Sequence, residues 1–154
     1  MRQYTESGTN AATIDAGLLV LRVVAGVVFF MHGYQKLFDN GISATQTGFD
    51  MMGAPLPDVT AVIVTFLELV GGIALVAGVM TRVVAALLAI DMVAAFAIVH
   101  QENGFFAANG GFELVLLLAG VAVALMVTGA GAYAVDAILA LPRRAGESLA
   151  ARRA

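Results

Sequence analysis

Four stretches of this chain are apolar over about the length of a bilayer crossing: residues 18–38, 59–80, 83–99 and 111–128. A hydrocarbon core about 30 Å thick takes roughly 20 predominantly apolar residues per helix. Inside it, every backbone N–H and C=O must find a partner within the protein, which leaves helices or closed barrels. The fold class this predicts is all-α, a four-helix transmembrane bundle. Composition agrees: 154 residues suffice for one domain, but with 60% hydrophobic and 12% charged the chain is too apolar for a water-soluble globule of that size. The expected organisation is a polar N-terminal tail over 1–16, a membrane domain over 17–136 and a basic tail over 137–154. The basic tail reads either as an amphipathic helix on the anionic inner leaflet or as a solvated segment past Pro142. The first apolar run is longer than a signal-peptide core and no small-residue cleavage pattern follows it, so the N-terminal segment is expected to be retained.

Orientation follows from where the basic residues fall, because positive charge is held on the cytoplasmic side. With four spans both termini share a side, which carries Arg2, Arg22, Arg82, Arg143, Arg144, Arg152 and Arg153, against Lys36 alone on the other. Both termini are therefore expected in the cytoplasm, with the 39–58 and 101–110 loops outside. The net charge of -3 is uninformative about nucleic acid, but the basic residues line one membrane face and form no stripe, so no nucleic-acid partner is expected. The chain has no cysteine, so it contains no disulfide, no thiolate metal site and no thiol redox chemistry of its own. In the outer loop, Phe49, Met51 and Met52 suggest a short interfacial helix.

The informative residues are the ionisable ones within the spans: Arg22, His32 and Lys36 in the first, Glu68 in the second, Asp91 in the third with His100 at its outer end, and Glu113 opening the fourth. Each charge at the bilayer centre costs about 2.5 to 3.5 kcal/mol, while an apolar residue returns roughly 0.3 to 0.6, so several such residues call for internal partners. Arg22, Gly26, Phe29, Gly33 and Lys36 fall on one stripe of the first span, and Glu68, Gly71 or Gly72, Leu75, Gly78 and Arg82 on one stripe of the second. Glycine combined with charge suits helices whose backbones approach closely and whose polar groups face each other. On this reading His32, Lys36, Glu68, His100 and Glu113 form an outward-opening polar pocket able to bind a quinone or hold a proton. Arg22, Arg82, Asp91 and Asp136 are read as structural: the two arginines snorkelling towards the cytoplasm, Asp91 pairing with Arg22 or facing a neighbouring subunit, and Asp136 as N-cap of the segment DAILAL. Asp91 and His100 are nine residues apart, about 180° round a straight helix. Both can reach one cavity only if the helix bends or frays before His100.

Together, LRVVAGVVFFMHGYQKLF, GFDMMGAPLP, FLELVGGIALVAGVMTRVVAALLAIDM, QENGFFAANGGFELVLLLAG and GAGAYAVD resemble the DoxX family of small four-helix membrane proteins. The resemblance runs over about residues 21–136 and implies a multi-pass protein of a bacterial or archaeal cytoplasmic membrane. It further implies a link to thiosulfate oxidation with quinone as acceptor, or to membrane complexes dealing with oxidative and thiol stress. The chain departs from the family pattern at Ala134, where serine is common, and at Asp91, where a small or apolar residue is usual.

Three functional classes follow. The first is an accessory or anchoring subunit of a larger redox, respiratory or photosynthetic assembly, working with other membrane subunits or as a homo-oligomer and not as an enzyme on its own. The second, which can coexist with it, is a quinone-binding subunit using the outer pocket. The third is a small proton-coupled transporter with Glu68 as the proton site. No metal site is expected, and a b-type haem between His32 and His100 is disfavoured because two histidines are the minimum and both lie at helix ends.

Overall fold

The computed structural model describes residues 2–139 in backbone and 10–139 in side chains. The basic-tail expectation for 137–154 falls, from residue 140 on, outside the described residues. The described chain is helical, with no strand among the described residues; its main helices are α1 (Arg2–Tyr34), α2 (Ile42–Met51), α3 (Pro57–Ala77), α4 (Thr81–Ala95) and α5 (Glu113–Thr128), and residues 135–139 are again helical. Three helical stretches are long and apolar enough to cross a membrane: Asn10–Asp39, Pro57–Ala77 and Thr81–Asn103. Helix α5 is apolar but has 16 residues, about 24 Å at 1.5 Å per residue. Over the segment read as a polar N-terminal tail, α1 begins at Arg2. No proline interrupts it, and a helix already formed adds one backbone bond per residue.

Local chemistry sets the helix ends. Pro57 opens α3 at its first turn, where its missing N–H costs nothing. Gly78 closes α3 at φ +72, and the amides of Gly78 and Val79 both return to the Ala74 carbonyl at 2.8 and 2.9 Å. Such a left-handed cap satisfies two otherwise orphaned groups, and three residues later the chain reverses into α4. Two wide π turns, Gln35–Asp39 and Phe96–His100, extend α1 and α4 at the same end of the bundle.

Helix α1 packs on α3 and α4 on α5, with α3 against α4 and the short α2 lying on α3. The α1–α3 contact is backbone on backbone. A Cβ placed on Gly72 would lie 2.5 Å from Phe30 N and 2.6 Å from Gly26 O, and one on Gly33 would strike the Leu69 backbone. Of the two glycines the sequence leaves open, Gly72 therefore meets α1, while Gly71 faces Val84 and Leu88 of α4. Phe29, Leu75, Leu88 and Leu125 fill the centre and are essentially inaccessible. The outside is inverted relative to a soluble protein: Val24, Met31, Ile63, Val70, Ile90 and Leu117 are each more than half exposed. An apolar belt on this scale would associate or aggregate in water. In lipid it is the favourable surface, so this is a membrane protein.

Candidate functional site

At the end of the bundle that holds the π turns, a cavity of about 450 Å³ opens between α1, α3, α4 and α5, with α2 and the 101–111 loop over it. Apolar side chains, among them Phe29, Met92, Leu114 and Leu118, form most of its wall. Five ionisable residues also line it: His32, Lys36, Glu68, Asp91 and His100. Such a mix of apolar wall and few convergent polar groups is typical of small-molecule sites.

Lys36 and Glu68 meet directly, Nζ donating to Oε2 at 2.5 Å, with the Glu68 side chain 6% and the Lys36 side chain 20% exposed. The sequence-predicted stripes of α1 and α3 produce this contact, because close approach of the two backbones at Gly26, Gly33 and Gly72 leaves the charged residues one turn further out facing each other. The π turn that carries Lys36 is held by Thr45 of α2, whose hydroxyl donates to the Lys36 carbonyl at 2.9 Å. His32, one turn before Lys36, is half-buried on the same wall.

Asp91, read from the sequence as a structural residue, also lines this cavity. It is 8% exposed, and its Oδ2 is buried with no hydrogen-bond partner. It does not pair with Arg22, whose Nη2 donates instead to the Tyr133 carbonyl. The sequence signal for Asp91 was the bare charge in the middle of an apolar span, a default pointer to a functional site. The bend demanded for Asp91 and His100 to share a cavity is supplied by the π turn Phe96–His100. An i→i+5 turn advances less per residue than an α turn and so resets the phase of the helix. His100 donates from Nδ1 to the Gly110 carbonyl at 2.6 Å, the only role open to a nitrogen facing a carbonyl. In the neutral ring this leaves Nε2 as an acceptor.

Glu113, expected in the pocket, lies outside it. It is exposed, does not line the cavity, and its Oε2 accepts the Ala107 amide at 2.9 Å. It organises the roof, together with backbone bonds from Phe112 to Gly104 and from Glu113 to Phe105. Phe112 stacks edge-on against Phe96 and Phe105, with centroids 5.2 and 5.5 Å apart. The loop backbone packs so closely that a Cβ on Gly111 would collide with Gly104.

At the opposite end, two structural expectations change. Arg22 does not snorkel: it is 1% exposed, its Nε and Nη1 lack partners, and Nη1 occupies the space a Gly78 side chain would need. Asp136 is not an N-cap for its own segment. Its carboxylate accepts the amides of Met80 at 2.8 Å and Thr81 at 2.9 Å, so it caps α4, and its own amide donates to the Gly78 carbonyl. Arg82 is exposed and reaches the Thr128 carbonyl at 3.4 Å. Among the described residues no group of three or more His, Cys, Asp or Glu is arranged to hold a metal ion.

A DoxX family model matches residues 17–101. The chain belongs to the DoxX family. The DoxX match spans all five ionisable residues of the cavity and stops short of Glu113 and Asp136. Among curated proteins, the chain is 34% identical to "Putative oxidoreductase CatD" of Bacillus subtilis over 124 residues, 80% of this chain and 87% of that one. It is 36% identical to an uncharacterized protein of Haemophilus influenzae over 77% of this chain and 87% of that one. It is 32% identical to "Inner membrane protein YqjF" of Escherichia coli over 81% and 93%. No solved structure matches.

Proposed function

We propose that this DoxX protein is a multi-pass subunit of a bacterial or archaeal cytoplasmic membrane whose outer cavity holds a quinone head group and a proton on behalf of a larger redox assembly. In this reading α5 crosses with α1, α3 and α4, both termini are cytoplasmic, and the cavity lies in the outer half of the bundle. The names of the relatives from Bacillus subtilis and Escherichia coli, an oxidoreductase and an inner membrane protein, are consistent with it.

The observation that carries the proposal is the composition of the cavity: one closed ion pair and one buried carboxylate oxygen with nothing to bond. A structural ion pair alone needs no second acid, and an unmet polar group in this setting is costly. Two carboxylates against one ammonium leave one carboxylate to be matched by a proton or by a donor on a ligand. A bound quinone supplies reversible two-electron, two-proton chemistry. The residues present suit both its forms. Lys36 spends one of its three N–H donors on Glu68 and has two left for a carbonyl oxygen. Protonated Asp91 or the His32 ring can donate to the other carbonyl, and ionised Asp91 can accept a hydroxyl. Without cysteine, any electron donor of thiol or iron-sulfur type sits on another subunit, which is why an accessory role fits better than a free-standing enzyme.

The test is retained quinone, extracted and quantified from protein purified in mild detergent. Glu68→Gln and Asp91→Asn should fold normally by circular dichroism and lose at least tenfold of the quinone bound by the parent. Equal retention by both variants would refute the reading.

A further inference from the structure

Asp91 borders a second cavity. This one, about 160 Å³, lies between α2, the start of α3 and α4, and shares Phe49, Met52, Val64, Asp91, Ala95 and Val99 with the larger one. The residues it does not share are Ala54, Pro55, Thr60, Ala94 and Ile98, so its wall has no ionisable group other than Asp91. Ala94 and Ile98 are exposed on α4 and its π turn, within a stretch able to cross the membrane, so the outer side of this cavity faces lipid. Over the water-facing end of the larger cavity lies the 101–111 loop, tied by Glu113 and the stacked Phe96, Phe105 and Phe112. Helix α2, whose Phe49 lines both cavities, is bounded by Gly41 and Gly53 at φ +80 and +76, both outside the range most side chains adopt.

We propose that the ligand of the outer cavity reaches it sideways from the bilayer, between α2 and α4, and rests with its head group in the larger cavity and its apolar tail in the smaller one. Asp91 stands at the junction, where it meets the head group. This rests on the quinone reading above and specifies a tailed, membrane-borne ligand in place of a water-soluble one. The two cavities divide the labour by chemistry: polar groups where the head lies, apolar wall and lipid contact where the tail leaves.

The experiment uses the full chain in lipid nanodiscs with two probes of the same head group, decylubiquinone and the tail-less ubiquinone-0. Ala94→Trp fills the smaller cavity from the lipid side without touching the larger one. Val93→Trp, at a position 63% exposed and lining neither cavity, adds the same bulk to lipid alone. The parent and Val93→Trp should bind both probes. Ala94→Trp should bind decylubiquinone at least tenfold more weakly while keeping ubiquinone-0. Undiminished decylubiquinone binding by Ala94→Trp overturns the lateral route and leaves the head-group pocket standing. Loss of both probes from Ala94→Trp, with Val93→Trp normal, places the block in the head-group cavity and overturns the tail assignment. A parent protein that binds neither probe refutes the quinone reading and the route with it.

Discussion

Replacing Gly72 by alanine adds one methyl group at the tightest point of the α1–α3 contact, and its consequences can be worked from the geometry. The new Cβ would lie 2.5 Å from Phe30 N, 2.6 Å from Gly26 O and 2.9 Å from Phe30 Cα, all backbone atoms that cannot rotate away. Ordinary contact begins near 3.4 Å, so the helices must part by about 1 Å. Overpacking of this kind costs about 1–3 kcal/mol. Glu68 lies one turn from Gly72 on the same face, so the same displacement lengthens its 2.5 Å contact with Lys36 to the limit of a hydrogen bond. A weakened hydrogen bond to a charged group adds a loss of up to about 1.5–3 kcal/mol, and alanine's better helix propensity returns about 1. The net is roughly 1.5–5 kcal/mol, or about 3–20 °C in melting temperature at 2–4 °C per kcal/mol for a domain of this size. Thermal scans by circular dichroism in detergent measure it. Gly120→Ala is the control, because a Cβ there meets nothing within 4 Å, and it should match or slightly exceed the parent. Equal melting of Gly72→Ala and Gly120→Ala would refute the argument that α1 and α3 meet backbone to backbone.

Lys36→Met strands a buried carboxylate and should destabilise by about 3–5 kcal/mol, whereas Lys36→Met combined with Glu68→Gln should recover most of that loss; a double variant no better than the single would show that the pair is not what stabilises this end. Ala134→Ser restores a hydroxyl beside the buried Arg22 guanidinium, where Ala134 and Arg22 border the same space at Gly78, and should stabilise by about 1 kcal/mol, read as a rise in melting temperature that disappears when Arg22 is also replaced by methionine. Reporter fusions after Asn40 and Asn109 should register outside the cytoplasm and one after Arg82 inside; the reverse pattern would invert the proposed orientation of the cavity.

What the sequence determined by itself is the class of protein and much of its wiring. Apolar runs of about 20 residues are a property of composition along a line; they match a helical crossing and are about twice the length of a barrel strand, so they lead to an all-helical membrane protein whatever the neighbours do. The glycine and charge stripes of the first two spans were legible for the same reason, since helical periodicity alone puts Gly26, Gly33 and Lys36 on one face and Glu68 and Gly72 on another. Which glycine meets which helix was decided only in three dimensions, where Gly72 faces α1 and Gly71 faces α4. The site shows the same division. Asp91 and His100 lie on opposite sides of an ideal helix, and their shared cavity depends on an i→i+5 turn that periodicity does not reveal. Glu113 looked like a fourth pocket residue by depth, but its carboxylate was taken by an amide in the roof, six residues back in the chain. Asp136 had the spacing of a local cap, yet it closes the start of α4, more than fifty residues earlier, because the turn after α3 delivers two free amides to it. Arg22 was expected to snorkel towards the cytoplasm from within its span, and only the packing of Gly78 and Ala134 over it shows that it is sealed inside. For Asp136 and Arg22 the deciding partner is distant in sequence, and for Glu113 it lies beyond the first turn of its own helix; a hydrogen-bonding side chain takes the partner that folding brings to it.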